Sequence, residues 1–279
     1  MDILETISRR ISIRNYLPEP ASASELEEIR LSGLVTEALT DAELYFHLCS
    51  ERQIGGAVGG IFGNYGRIIR AQHYIVLTVK ERKGYLVDSG FRFEQMILEA
   101  TRRNLGTCWI GGMFKEASIR NALGLDASWR VIAITPIGKI AGQSLVSSAM
   151  KAVIRSSTRK PIMDVFFWNT HGQSLPENIL SRPALLRVFE ATRWAPSWAN
   201  KQPWRFILGE RTILVYKLAN QIREGKDYHL VDCGIAMAHL HLAAKSQGIK
   251  GRWRLESFEV PGASGAEAIG QYSLEESVW

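Results

Sequence analysis

Two segments, Val87–Asn104 and Val231–Gly248, carry apolar or small residues around most of a helical circumference. That pattern predicts two long helices buried between layers or in an interface, most clearly over Gly234-Ile235-Ala236-Met237-Ala238-His239-Leu240. Stretches with a single apolar face predict shorter helices at Ile3–Arg9, Glu25–Leu31 and Pro183–Arg193. Ser24, three residues before Glu27, reads as a capping box for the second, and Pro183 suits the first helical position of the third. Runs rich in β-branched and aromatic residues predict strands at His73–Lys80, Val131–Thr135, Trp204–Leu208 and Thr212–Tyr216. The last two are joined through Gly209-Glu210-Arg211 as a short hairpin. Helices and strands alternate without a regular βαβ rhythm, so the fold class is α+β.

The two long helices echo one another. Val87-Asp88-Ser89-Gly90, followed by Leu98, Ala100 and Trp109, matches Val231-Asp232-Cys233-Gly234, followed by Leu242, Ala244 and Trp253, at a constant offset. A tandem duplication follows, with halves over residues 1–168 and 177–279 and a loop-like connector at Asn169–Pro176. The halves are expected to pack as one unit around their long helices.

Composition narrows the class. Of 279 residues, 46% are hydrophobic and 22% charged, values typical of a folded globular chain. Three cysteines, far apart and without a C-x-x-C pair, exclude a disulfide scaffold and the common zinc spacings. They point to a reducing compartment, so a cytoplasmic location is expected. The N-terminus has no secretory pattern, and no run approaches the roughly 18 apolar residues of a membrane span. The net charge of +6 comes from scattered basic residues without a nucleic-acid-binding signature, and an anionic small ligand accounts for it as well.

Several chemistries lack their residues. The run from Gly55 to Gly66 has neither G-x-G-x-x-G spacing nor a Walker lysine, and reads as a mobile or ligand-covering loop. His239 and His241 lie two apart on a helix, face different sides, and read as core or interface histidines. No G-x-S-x-G elbow occurs.

Three segments carry more. In Arg10-Ile11-Ser12-Ile13-Arg14, alternation places Arg10, Ser12 and Arg14 on one side of an extended segment and the isoleucines on the other. Two guanidinium forks and a hydroxyl suit a phosphate monoester; a solvated basic edge is the alternative. In Pro196-Ser197-Trp198-Ala199-Asn200-Lys201-Gln202-Pro203-Trp204, two prolines restrict a polar loop that leads into a strand, either as a site or as a structural turn. In Leu105-Gly106-Thr107-Cys108-Trp109-Ile110-Gly111-Gly112, paired glycines allow close backbone approach to a flat ligand, or simply follow a helix stop.

Together these segments resemble the FMN-dependent nitroreductase family, over most of the chain except about Ala21–Gln53 and the tail after Phe258. The resemblance implies a mixed, largely antiparallel sheet packed with helices. Because the Pro-Ser-x-x-Asn loop comes late, after the basic tail-like Arg159-Lys160-Pro161, the chain resembles the branch in which two half-units imitate a homodimer. The resemblance assigns the FMN phosphate to Arg10, Ser12, Arg14 and Arg159, and the pyrimidine and ribityl edge to Asn64 and Arg67. Gly111 and Gly112 fall by flavin N5. Pro196, Ser197 and Asn200, with Gln202 in support, match residues a partner subunit normally lends. Ile11 departs from the usual Arg or His. Trp198 is large for its position and implies a narrow or aromatic-lined substrate pocket, with Lys201 beside it.

The implied activity is ping-pong electron transfer from NADH or NADPH, through FMN, to a nitroaromatic, quinone or similar small acceptor, with no catalytic side chain and no metal. Another flavin chemistry, or flavin binding without turnover, are the alternatives. The later half lacks Arg-x-Ser-x-Arg and the earlier half lacks the Pro-Ser loop, so one FMN per chain and a monomer acting as a pseudo-dimer are expected. Neither nucleic acid nor membrane is expected as a partner.

Overall fold

The computed structural model describes residues 1–58, 71–112, 114–141, 159–218 and 227–279. The chain divides into two compact units. One comprises Arg9–Tyr85 and Arg92–Ser148 and holds a four-stranded sheet; the other comprises Met1–Ser8, Leu86–Phe91 and Ala149–Trp279 and holds a five-stranded sheet. The architecture is an α+β fold whose antiparallel-rich pairing is divided between these sheets.

Helix α1 (Ile3–Arg9) opens the chain, as its apolar face indicates. In the four-stranded unit, α2 (Ala23–Leu34) starts earlier than the Ser24 capping box implies. Ser22 is the N-cap, its Oγ accepting from the Glu25 N–H at 3.2 Å. Ser22-x-x-Glu25 repeats the same pattern two residues upstream, and Glu27 is instead engaged by Arg30.

Strand β1 (Leu44–Ser50) leads directly into α3 (Glu51–Val58). Gly55 and Gly56 are therefore helical, which corrects the reading of this run as loop from its first glycine. Ile54 and Val58, four residues apart, bury in a cluster with Cys49, Tyr74, Cys108 and Ile134, and that packing outweighs the low helix propensity of glycine. Strand β2 (His73–Lys80) is buried along its length. Helix α4 (Tyr85–Arg102), whose Leu86–Phe91 stretch belongs to the five-stranded unit, β3 (Leu105–Thr107), α5 (Glu116–Ala122) and β4 (Trp129–Lys139) follow. The sheet order β1-β2-β4-β3 is antiparallel throughout and sets β3 at an edge.

In the five-stranded unit, β5 (Phe166–Trp168) precedes a turn over residues 169–176, a short α6 (Glu177–Leu180) and α7 (Pro183–Arg193), with Pro183 at the first helical position. Strands β6 (Trp204–Gly209) and β7 (Thr212–Lys217) form the expected hairpin, Gly209 opposite Thr212. Helix α8 (Tyr228–Ser246) is buried nearly all round, as its composition requires. His239 is a core histidine whose Nδ1 meets the Ala191 carbonyl oxygen at 2.9 Å. The tail after Phe258 supplies β9 (Glu267–Leu274), which pairs with both β7 and β8 (Gly251–Arg254). The order is β5-β6-β7-β9-β8, parallel only between β5 and β6. No described helix is long and apolar enough to cross a membrane.

Candidate functional site

Two polar clusters gather the residues singled out by the sequence, one in each unit. In the four-stranded unit the N-terminal segment lies extended against the sheet edge. Ser12 bridges Thr107 in parallel, the Ile13 N–H donates to the Thr107 carbonyl at 2.8 Å, and Tyr16 bridges Ile140. Ile13 is buried over Gly106, where a β-carbon would lie 2.8 Å from the Ile13 side chain; glycine there lets the segment approach β3.

This anchoring gathers Arg10, Ser12 and Arg14 around Cys108, the residue after β3. The Ser12 hydroxyl bonds to the thiol and both guanidinium groups act on it, yet burial dominates and pushes the Cys108 thiol up. Burial likewise raises the Tyr16 phenol, with Cys108 and Tyr74 adding to the rise and Arg14 opposing it. The Arg14 Nε is buried with no hydrogen-bond partner. A buried cationic donor of this kind calls for an acceptor, and two guanidinium groups with a hydroxyl fit a phosphate.

Arg10 is only 4% exposed, with its Nε 3.6 Å from the Glu94 carboxylate, itself fully buried. Glu94 also accepts from the Trp109 indole N–H at 2.6 Å. Gly111 and Gly112 are half-buried and directly follow Ile110, which exchanges backbone hydrogen bonds with Ile134 of β4. Asn64 and Arg67 lie outside the described residues.

In the five-stranded unit, the loop between α7 and β6 is pinned from several sides. The Gln202 N–H donates to Ser197 Oγ at 3.0 Å, and Gln202 Oε1 accepts from the Lys160 N–H at 2.8 Å. The Gln202 amide NH2 donates to the Asn200 carbonyl at 3.1 Å and to its Oδ1 at 3.3 Å. Arg159 donates to the same Oδ1 and to the Trp194 carbonyl. The Trp198 N–H meets both oxygens of Asp232 on α8, at 3.1 and 3.2 Å.

Ala199, Asn200 and Gln202 all adopt positive φ (48°, 56° and 49°), conformations non-glycine residues adopt only when the surroundings hold them. Pro196 and Ser197 are half-buried and Gln202 is buried, whereas Trp198, at 44%, Asn200 and Lys201 are exposed. Gln202 thus braces the loop, while Trp198 and Lys201 present their side chains outward.

Two residues that position these clusters escaped the sequence reading. Glu94 is one of three acids on α4, with Asp88 and Glu99, and only its burial and its bond to Trp109 single it out. Asp232 was visible in the Val-Asp-x-Gly echo, but its partner Trp198 lies 34 residues away. Among the described residues no group of three or more His, Cys, Asp or Glu could hold a metal ion.

The family model described as "Putative TM nitroreductase" matches residues 2–244. Among solved structures, a "putative nitroreductase" from Thermotoga maritima is similar at 20% identity and a TM-score of 0.61, over 98% of this chain and 93% of that one. A nitroreductase family protein from Clostridium novyi NT is 22% identical over 63% of this chain and 98% of its own, at a TM-score of 0.45. An FMN-dependent nitroreductase from Clostridium difficile R20291 is also 22% identical, over 50% and 88%, at 0.42. None of the curated protein sequences compared with the chain matches it.

Proposed function

The chain belongs to the nitroreductase family, and from that premise we propose that it is an FMN-dependent oxidoreductase. In this reading it takes reducing equivalents from NADH or NADPH and passes them to a nitroaromatic, quinone or similar electron-poor acceptor. The observation that carries the reading is the convergence of Arg10, Ser12 and Arg14 around Cys108, with the Arg14 Nε buried and without an acceptor.

When bound, FMN supplies the hydride and electron chemistry. Arg10, Ser12 and Arg14 hold its phosphate by charge-assisted bonds. Gly111 and Gly112 leave the backbone open to a planar ring. No side chain needs to act as nucleophile or general base.

The repeat of Val-Asp-x-Gly and Trp supports a chain of two half-units that carries one FMN and works as a monomer. The test is initial-rate kinetics against NADH or NADPH at several acceptor concentrations, together with flavin-to-protein stoichiometry. Parallel double-reciprocal lines and one flavin per chain are expected; converging lines, or an absence of flavin, would contradict the reading.

A further inference from the structure

The buried carboxylate of Glu94 has no part in the chemistry proposed above, yet it lies against one of its binding groups. We propose that Glu94 is a positioning residue that fixes the Arg10 guanidinium for the cofactor phosphate, with Trp109 as the clamp on Glu94. The inference rests on the assignment of the phosphate to Arg10, Ser12 and Arg14.

The chain of support runs outward from the core. Phe46 stacks on Phe93 at 5.6 Å, and Phe93 meets the Trp109 ring edge-on at 4.8 Å, so the indole has a fixed place. From there its N–H reaches Glu94 at 2.6 Å, and the other carboxylate oxygen lies 3.6 Å from the Arg10 Nε. At 3.6 Å the contact is an ion pair rather than a hydrogen bond, and it draws the Arg10 guanidinium toward a carboxylate whose own place is fixed. An ion pair this deeply buried is weak evidence for stability alone, since removing two charges from water costs nearly what their attraction returns.

The internal repeat supplies an independent comparison. At its constant offset the counterpart of Trp109 is Trp253 and that of Glu94 is Ala238. The Trp253 indole N–H is buried and has no hydrogen-bond partner among the described residues. The half that lacks Arg-x-Ser-x-Arg therefore keeps the tryptophan but lacks the carboxylate. A carboxylate needed merely to satisfy the indole would be wanted in both halves; one that serves Arg10 is wanted in one.

The experiment measures FMN and riboflavin affinity, by quenching of flavin fluorescence, for the full chain and for Glu94→Gln, Trp109→Phe, Trp253→Phe and Arg14→Ala. Circular dichroism checks that each is folded. Glu94→Gln and Trp109→Phe should each weaken FMN about ten-fold while riboflavin affinity stays within about two-fold. Trp253→Phe should change neither. Should Glu94→Gln fail to fold, Trp109→Phe carries the test, because it keeps the ring and removes only the N–H.

Unchanged FMN affinity in both variants, with Arg14→Ala still lowering it, would overturn the role of Glu94 and leave the phosphate assignment standing. A rise in FMN affinity would show Glu94 to be a competing anion and would equally overturn it. Equal binding of FMN and riboflavin by the unaltered protein would overturn the phosphate assignment itself, and this inference with it.

Discussion

Gly90 of α4 and Gly234 of α8 occupy reciprocal positions within the five-stranded unit. A β-carbon on Gly90 would lie 2.1 Å from the Val231 carbonyl oxygen, and one on Gly234 would lie 2.0 Å from that of Val87. Each glycine thus meets the first residue of the other's Val-Asp-x-Gly, so the sequence echo is also a spatial one. The obstacles are backbone atoms, which cannot rotate aside.

Gly90→Ala and Gly234→Ala should therefore each destabilise the protein by about 3 kcal/mol or more, at the upper end of overpacking costs. The double variant should lose less than the sum, because separating the helices once relieves both clashes. Gly56→Ala, in an exposed turn of α3 with nothing within 4 Å, should stabilise by about 0.5–1 kcal/mol. Urea unfolding of the four variants checks all three statements.

Burial holds the Asp232 carboxyl well above the ordinary carboxylate range; the Trp198 N–H opposes this and Asp227 adds to it. Because the folded state holds the proton more tightly than the unfolded chain, the stability this group contributes is complete below about pH 4. It is lost as pH rises through the elevated folded value. Asp232→Asn cannot titrate and keeps an acceptor for Trp198, so its stability should fall less steeply from pH 4 upward. Asp232→Ala leaves that N–H without its acceptor and should cost about 1–3 kcal/mol. Thermal unfolding across this range decides; parallel profiles for native and Asn proteins would refute the assignment.

All three cysteines are buried and free. Burial pushes the Cys49 thiol up to about 11 and also raises Cys108 and Cys233. Since the thiolate is the reactive form, a disulfide reagent at pH 8 should label none of them quickly in the folded protein and all three after unfolding. Rapid labelling of Cys108 in the folded state would mean that Arg10 and Arg14 outweigh its burial.

The legible parts of the fold are those whose pattern is local. Strand β2 shows in the unbroken apolar run Tyr74–Leu77, and α8 in its lack of a polar face. Helix α3 was hidden because Gly55-Gly56 argues for a loop, and only the burial of Ile54 and Val58 reverses that. Strand β9 was hidden because Glu267, Gln271 and Ser273 make it look like a polar tail, although it pairs on both edges. At the site, Arg10, Ser12 and Arg14 were readable from alternation, and the Ser197–Gln202 loop from its prolines and polar density. Their supports, Glu94, Asp232 and Lys160, act through contacts distant in sequence, which no local pattern encodes.

Arg14→Ala tests the central claim most directly, because the Arg14 Nε is a buried donor of this cluster without a hydrogen-bond partner among the described residues. The measurement is the dissociation constant of FMN against that of riboflavin for the unaltered protein and this variant. Loss of a charge-assisted contact should weaken FMN by about 10- to 100-fold and leave riboflavin nearly unchanged. An equal loss for both flavins, or no loss for either, would contradict phosphate recognition by the Arg10–Ser12–Arg14 cluster.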